Sequence, residues 1–478
     1  MATAAPEDTT LRRALKLRHL VMLSVGGTIA SGFLLASGGA IKLAGPAVVI
    51  VYIIAGLVSI GVMACLAELS VHGKTASGFA KFAEETMGPL MGFLTGSNYW
   101  LAWVAGPAGE AIAVGTFAVA LAPFHSVPIW IISLVVIVGD LAINYAGVLL
   151  MGNYEFVLST IKIIGMILFC IFCFAAVFGI GQPAIGAANI NGHGGFFALG
   201  ATGVFTSFLL VFYAYTGIEL VSVSAEESVH PERDVPRALM LTAALVSVLF
   251  IVSALALVAA EDWQKLGVSS SPLIDTLNTI HLPAVANILT IAIIVASISG
   301  IDAGIYTGSR MLFALSRDNY LPARFSTTNP HRKIPTFALT VTGVTMVAMV
   351  LLDLYSPTVA YVFLGSLSTL GFLWAWLFIP VMQMLYRRKI GPEGVRNLKW
   401  KTPLYPFTPI ACIILVGVAM IAPIFQNTPG LFGLSAGALP VAGGILWMGI
   451  WIIYYFAYGR NLRSRTAADR AAAAHNQA

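Results

Sequence analysis

Apolar residues in this chain come in long runs rather than in alternation with polar ones, and the runs recur from Leu20 to Phe456 with short polar interruptions. A run of roughly 20 apolar residues is the length that crosses the hydrocarbon core of a bilayer as a helix. Bounded by charge, Pro and Gly, the pattern predicts spans at 20–43, 45–71, 89–121, 128–148, 154–180 and 202–225, then at 238–260, 283–316, 337–353, 359–386, 406–425 and 437–458. The expected fold class is therefore an all-α membrane protein of twelve transmembrane helices.

Composition closes the alternatives. Of 478 residues, 58% are hydrophobic and 10% charged, against roughly 25% charged in a soluble domain, and mean hydropathy is +0.88. A net charge of +5 does not point to nucleic acid, because the basic residues sit in short loops and not on one folded face. Cys65, Cys170, Cys173 and Cys412 all lie inside apolar runs, and no histidine falls within a predicted span, which argues against both a disulfide framework and a metal site. The first apolar run follows Arg12, Arg13, Lys16 and Arg18, is too long for a signal-peptide core and lacks a cleavage pattern, so it is read as a retained helix.

Orientation follows from the Lys/Arg bias of short loops. With the N-terminus cytoplasmic, every Lys and Arg except Lys42, Lys162 and Lys265 falls in an inside segment or at its edge, and both termini lie inside.

Two spans carry backbone that an ordinary membrane helix has no reason to carry. GGTIASG (26–32) interrupts the first, with Thr28 and Ser31 able to compete for helix carbonyls; FYAYTGIEL (212–220) interrupts the sixth with Gly217 and Glu219. Close helix packing through small residues explains many membrane glycines. Interruptions five spans apart point instead to an inverted five-plus-five repeat whose two discontinuous helices meet at a binding site. Freed N–H groups suit a carboxylate and freed carbonyls suit an ammonium or cation, so such a site matches a zwitterionic amino acid.

Ionisable groups at membrane depth are costly and ask for a partner or a role. Glu110, Asp140, Lys162, Glu219 and Asp302 are the candidates, whereas Glu68, Glu155 and Arg310 lie nearer helix ends, where snorkelling, capping or loop pairing explains them. Glu219 follows the sixth-span break and either carries a proton or ties that helix to a neighbour. Glu110 either lines a pocket or pairs across helices, and Asp140 reads as structural. Tyr99, Trp103, Phe208, Phe212, Tyr213 and Tyr215 supply aromatic surface, with Tyr213 or Tyr215 as a lid. A bare Lys162 ammonium must lose its proton or sit against oxygens.

The chain resembles the bacterial amino acid transporter family of the amino acid/polyamine/organocation (APC) superfamily. The likeness runs from about Leu11 to the tenth span through GGTIASG, SGGAIKLAGP (37–46), AELSVHGKTASGFAKFA (67–83) and GSNYWLAW (96–103) with Glu110 seven residues on. It continues through FYAYTGIEL, AEESVHPERDVPRA (225–238), GIDAGIYTGSRMLFALSRDNYLP (300–322) and NPHRKIP (329–335). The resemblance implies a LeuT-like fold with repeats at 20–180 and 202–386. A cytoplasmic loop at 387–405, helices 11 and 12 at 406–458 and cytoplasmic tails at 1–19 and 459–478 complete it. It also implies that helices 1 and 6 grip the substrate backbone while helices 3, 8 and 10 line the side-chain pocket. Carried over by position, Ser31 and Gly32 offer N–H groups to the carboxylate, and carbonyls near Gly26 and in Tyr213–Thr216 face the amino group. Thr28, Gly217, Trp103, Glu110, Tyr215 and Asp302 complete the expected substrate site.

Lys162, within EFVLSTIKIIG (155–165), falls where proton-coupled relatives place a lysine in the position of a sodium ion, beside helix 1 carbonyls and Ser299 or Asp302. The alternative is a permanent Lys162/Asp302 ion pair. Two departures stand out: the family usually has Gly at Ala30 and Asn at Asp302.

These readings predict a secondary transporter of the bacterial inner membrane importing an α-amino acid by proton symport through alternating access, with Lys162 and Glu219 in proton coupling. No cofactor or metal is expected, only the amino acid, the proton and lipid. A homodimer is among the states left open. The competing functions are an amino acid/polyamine exchanger, sodium coupling, a non-transporting amino acid sensor and a channel; no enzyme chemistry is indicated. Asp302 and Glu110 suit a cationic substrate, whereas Trp103, Tyr213 and Tyr215 suit a neutral or aromatic one.

Overall fold

The computed structural model describes residues 13–71, 78–119, 121–267, 271–354, 356–425 and 438–462. Most of the N-terminal tail (1–12), part of the C-terminal tail (463–478), residue 437 of the last predicted span, and Arg12, Lys74, Arg463, Arg465 and Arg470 lie outside the described residues.

Among the described residues, twelve stretches are helical, long and apolar enough to cross a membrane. The first span is α1 (Leu17–Thr28), α2 (Ser31–Leu34) and α3 (Ala36–Ala44); Gly45, at φ +64°, and Pro46 then turn the chain into the second, α4 (Val48–Ser70). After the short helix α5 (Gly78–Met87) come α6 (Pro89–Val119), α7 (Ile129–Ala146) and α8 (Val148–Val177), the third to fifth spans. A loop with α9 (Ala188–Asn191) leads to the broken sixth span, α10 (Gly200–Tyr215) and α11 (Leu220–Val223). The seventh, α12 (Pro231–Ala260), is followed by α13 (Pro272–Thr279), and then by α14 (Pro283–Arg317), α15 (Thr336–Val350), α16 (Pro357–Arg396), α17 (Phe407–Ile421) and α18 (Ala438–Tyr454). Proline at the first turn starts α12, α14 and α16, where its missing N–H has no intrahelical partner to lose.

The packing has a regularity that the two breaks alone only suggested. The third span packs on the fourth, ninth and tenth, and the eighth on the ninth, fourth and fifth; the first packs on the fifth and seventh, and the sixth on the tenth and second. Each of these pairs maps onto another when every span is exchanged with the one five positions away. Five being odd, the second unit is inverted relative to the first. The third and eighth spans pack on each other at the centre, with α6 buried along nearly its whole length. Leu57, Val135, Ile288, Ile445 and Leu446 are large apolar side chains more than half exposed, as the hydrocarbon-facing surface of a membrane span would be.

Two loop regions differ from the sequence reading. The tenth span does not end at 386 but continues to Arg396, with a kink at Gly391 (φ +68°), so much of the expected 387–405 loop is helical. Its extension is anchored by Arg387, whose guanidinium makes two 2.6 Å hydrogen bonds to Glu68 at the end of α4. The helices α5 and α13 lie between the apolar runs, each too short to show as a run of its own.

Candidate functional site

The first break begins where α1 stops at Thr28. Ile29 (φ −80°, ψ 88°) and Ala30 (φ −143°, ψ −160°) leave the helix before Ser31 resumes it. Ala30 is thus extended, a conformation alanine takes without strain, and its methyl faces Gly300, where a Cβ would lie 3.1 Å away. The freed polar groups are answered by side chains from other spans. Lys162 Nζ donates to the Gly26 carbonyl at 2.5 Å. Ser31 donates its backbone N–H to both Glu110 oxygens at 2.9 and 2.8 Å and its hydroxyl to Oε1 at 2.6 Å. Tyr361 donates to the Ser31 carbonyl oxygen and hydroxyl at 3.2 and 3.1 Å.

The sixth-span break is built differently. Gly217 sits at φ +104°, and a Cβ there would lie 2.8 Å from the Gly27 carbonyl oxygen, so both backbone geometry and close approach require glycine. Thr216 Oγ1 donates to the Tyr213 carbonyl at 2.8 Å and the Leu220 N–H to that of Gly217 at 3.1 Å. Glu219 accepts from the Gly217 N–H at 3.3 Å and from Trp376 Nε1 at 2.9 Å. Ser24 Oγ, donating to the Ile218 carbonyl at 2.9 Å, ties the two breaks together.

Between them lies a cavity of about 30 Å³ lined from the first, third, sixth, eighth and tenth spans: Gly27, Thr28, Ala30 and Gly32; Trp103, Gly106, Pro107 and Glu110; Tyr213 and Thr216; Gly300; and Ser368 and Phe372. It has room for about one water molecule, so a larger ligand enters only after rearrangement.

The sequence model described as "Amino acid permease" matches residues 19–465. The chain belongs to the amino acid permease family. It is 31% identical to the gamma-aminobutyric acid permease of Bacillus subtilis over 97% of this chain and 96% of that one. It is 32% identical to the putative histidine permease of the same organism, over 87% and 89%. To the D-serine/D-alanine/glycine transporter of Escherichia coli it is 29% identical, over 84% and 86%. Family and spans together make it a multi-pass membrane protein, and these relatives are permeases and transporters rather than enzymes.

Within this permease-family chain, Thr28, Gly32, Trp103, Glu110, Tyr213 and Thr216 line the cavity, and Ser31 adjoins it through Glu110. Gly26 is held back by Lys162. Tyr215 points away, its hydroxyl donating to the Tyr52 carbonyl at 2.8 Å, so of the two tyrosines it is Tyr213 that faces the space. Gly217 and Glu219 shape the break from behind the lining. Asp302 is not in the cavity: two residues beyond Gly300, it lies about 200° around α14 and accepts from Asn144 Nδ2 at 2.6 Å. Nor does it pair with Lys162, which has no carboxylate oxygen within 4.0 Å among the described residues. The intervening group is Glu155, read from sequence as a helix-end residue. Fully buried, it accepts from Ser299 Oγ and from Ser159 Oγ, and lies so close to Gly26 that any side chain there would strike it.

Tyr361, Ser368, Phe372 and Trp376, all on α16, escaped sequence reasoning, because aromatic and small residues in an apolar run carry no sign of which face turns inward. Pro107 inside α6 was a usable signal, since it lines the cavity where it interrupts the helix ladder.

Polar contacts tie distant parts of the chain together at either end of the first span. At one end, the N–H groups of Ala14 and Leu15 donate to the Glu227 carbonyl at 2.9 Å, and that of Val229 to Leu15 at 2.9 Å. Glu227 also pairs with Arg310 at 3.1 Å and accepts from Tyr306, while Arg317 makes a two-pronged contact with Glu226 at 3.0 and 2.8 Å. At the other end, Ser271 Oγ donates to the Leu34 carbonyl at 2.8 Å and Lys42 to that of Gln264.

Proposed function

We propose that this chain imports an α-amino acid across the bacterial inner membrane by proton symport, the cavity opening alternately to each side. The observation that carries the reading is the juxtaposition of two interrupted spans around one small cavity, with Lys162 on the Gly26 carbonyl. An ammonium there supplies the positive charge that a bound metal cation would otherwise bring to those carbonyls. Lys162 and Glu219 are the groups through which the proton acts, and the Lys/Arg bias supports cytoplasmic termini. The closure formed by Ala14, Leu15, Glu227 and Arg310 is then the inner gate, and that of Leu34 and Ser271 the outer.

The test is uptake of radiolabelled amino acids into proteoliposomes under an imposed pH gradient, inside alkaline, with and without sodium. Accumulation is expected without sodium, falling as external pH rises, and absent in Lys162→Ala. Strict sodium dependence, or full pH-driven accumulation by Lys162→Ala, overturns the coupling mechanism.

A further inference from the structure

Of the two N–H groups expected to receive the substrate's carboxylate, that of Ser31 already holds a carboxylate, and it belongs to the protein. Both oxygens of Glu110 lie within 2.9 Å of the Ser31 N–H, and Oε1 also takes the Ser31 hydroxyl at 2.6 Å. Glu110 is 4% exposed and is one of the residues lining the cavity. Carboxylate, backbone donor and hydroxyl thus reproduce, within one molecule, the contacts that an amino acid's α-carboxylate would make at the same place.

We infer that Glu110 is an internal stand-in for the substrate's carboxylate, and that loading requires it to leave the Ser31 donors and take up one proton as it leaves. This rests on the amino acid reading above. The stand-in has two consequences of opposite sign. It satisfies a buried N–H and hydroxyl that would otherwise be unpaired whenever the site is empty, and it competes with the ligand for them. Once displaced, it has no cation waiting for it: its Cγ and Cδ lie 3.7 and 3.8 Å from where a Gly300 Cβ would be, beside Ala30, and the polar side chains around it include the neutral hydroxyls of Ser297, Tyr213 and Tyr361. The ionisable groups that act on it electrostatically are Lys162 on the fifth span, Tyr213 on the sixth and Tyr361 on the tenth. Of these, Lys162 alone carries a charge that opposes its own, and it is bonded to Gly26. A carboxylate moved off its two donors next to one committed cation leaves as the neutral acid, its proton drawn from whichever aqueous side the site faces. Substrate arrives with one negative charge on its carboxylate, and Glu110 gives one up; the charge at Ser31 is unchanged.

The experiment measures binding in detergent with the native full-length protein. The twenty common L-amino acids are surveyed by thermal shift, and the one giving the largest stabilisation is titrated calorimetrically from pH 5 to 8. In parallel, a weakly buffered indicator solution reads proton uptake. The expected result is about one proton taken up per amino acid bound, with affinity rising up to about tenfold for each unit the pH falls. Glu110→Gln is expected to bind the same amino acid with no proton uptake and no pH slope, at least as tightly as the native protein does at pH 8. The carboxamide of that amino acid, which cannot replace a carboxylate, should compete at least tenfold less well against both. Native binding without proton uptake overturns the inference alone, as does an unchanged pH slope in Glu110→Gln. Loss of binding by folded Glu110→Gln at every pH also overturns it, since Glu110 would then be a fixed part of the site. If that variant does not yield monodisperse protein, the native stoichiometry decides. Binding by none of the twenty overturns the amino acid reading itself.

Discussion

The two broken spans solve the same problem by different means. In the sixth, the backbone largely answers itself: a left-handed Gly217, the turns around it and the nearby Glu219 carboxylate meet most of the freed donors and acceptors. In the first, the answers come from far along the chain and from groups that can change charge or leave, namely Glu110, Lys162 and Tyr361. One break is held by conformation and the other by chemistry. A device that must rearrange in response to a ligand or a proton is better served by the second kind, because side chains swing away at less cost than backbone refolds.

The sharpest way to break this contrast is Gly217→Val. A β-branched residue at φ +104°, with its Cβ 2.8 Å from the Gly27 carbonyl, is expected to cost on the order of 3 kcal/mol. It should show as loss of monodisperse protein or a large fall in melting temperature. If a folded, active Gly217→Val is obtained, conformation does not hold the sixth break. The next effect is on function: Glu219→Gln keeps size and hydrogen bonding but cannot cycle a proton, so concentrative uptake should fall several-fold more than binding. Unchanged pH-driven accumulation would reduce Glu219 to a structural pin. Smaller is Trp376→Phe, which removes one buried donor to Glu219 and is expected to lower stability by about 1 kcal/mol, the scale of hydrogen bonds inside membrane proteins. A melting curve that does not move would mean that the contact carries nothing. Least of all should come from Ala30→Gly, since the first break needs no special backbone there: uptake and melting are expected to stay close to native, and a large loss would show that Ala30 restrains the break.

How much of this could be read from the chain depended on what kind of residue was involved. Spans were legible because twenty apolar residues in a row have few other uses, and the breaks because Gly26, Gly27 and Gly217 stand where helices resist glycine. Lys162 was legible as the one basic group in mid-span. Direction around a helix was not: Asp302 and Gly300 are two residues apart and look out on different neighbours, and Tyr213 and Tyr215 do the same. Competition for a partner was illegible too. Ser299 was available to Lys162 by position, but Glu155 takes its hydroxyl, and the Ser31 donors expected to await a ligand are occupied by Glu110. Gly32 shows a related limit. By resemblance it offers an N–H to the ligand, yet a Cβ there would also meet the Tyr213 carbonyl oxygen at 3.2 Å, so it serves helix contact as well.

Considered as a piece of machinery, α1 is a short rigid rod with a joint at each end. Its twelve residues span about 18 Å; one joint is the break at Ile29 and Ala30, and the other end is fastened by the backbone of Ala14 and Leu15 to Glu227 and Val229. Leverage follows from those dimensions. A swing of about 20° about the break carries the far end roughly 6 Å for a rod of that length, enough to part every one of the 2.9 Å hydrogen bonds that fasten it. A movement of an ångström or two beside Lys162 would thereby become several ångströms at the contacts of Ala14 and Leu15 with Glu227.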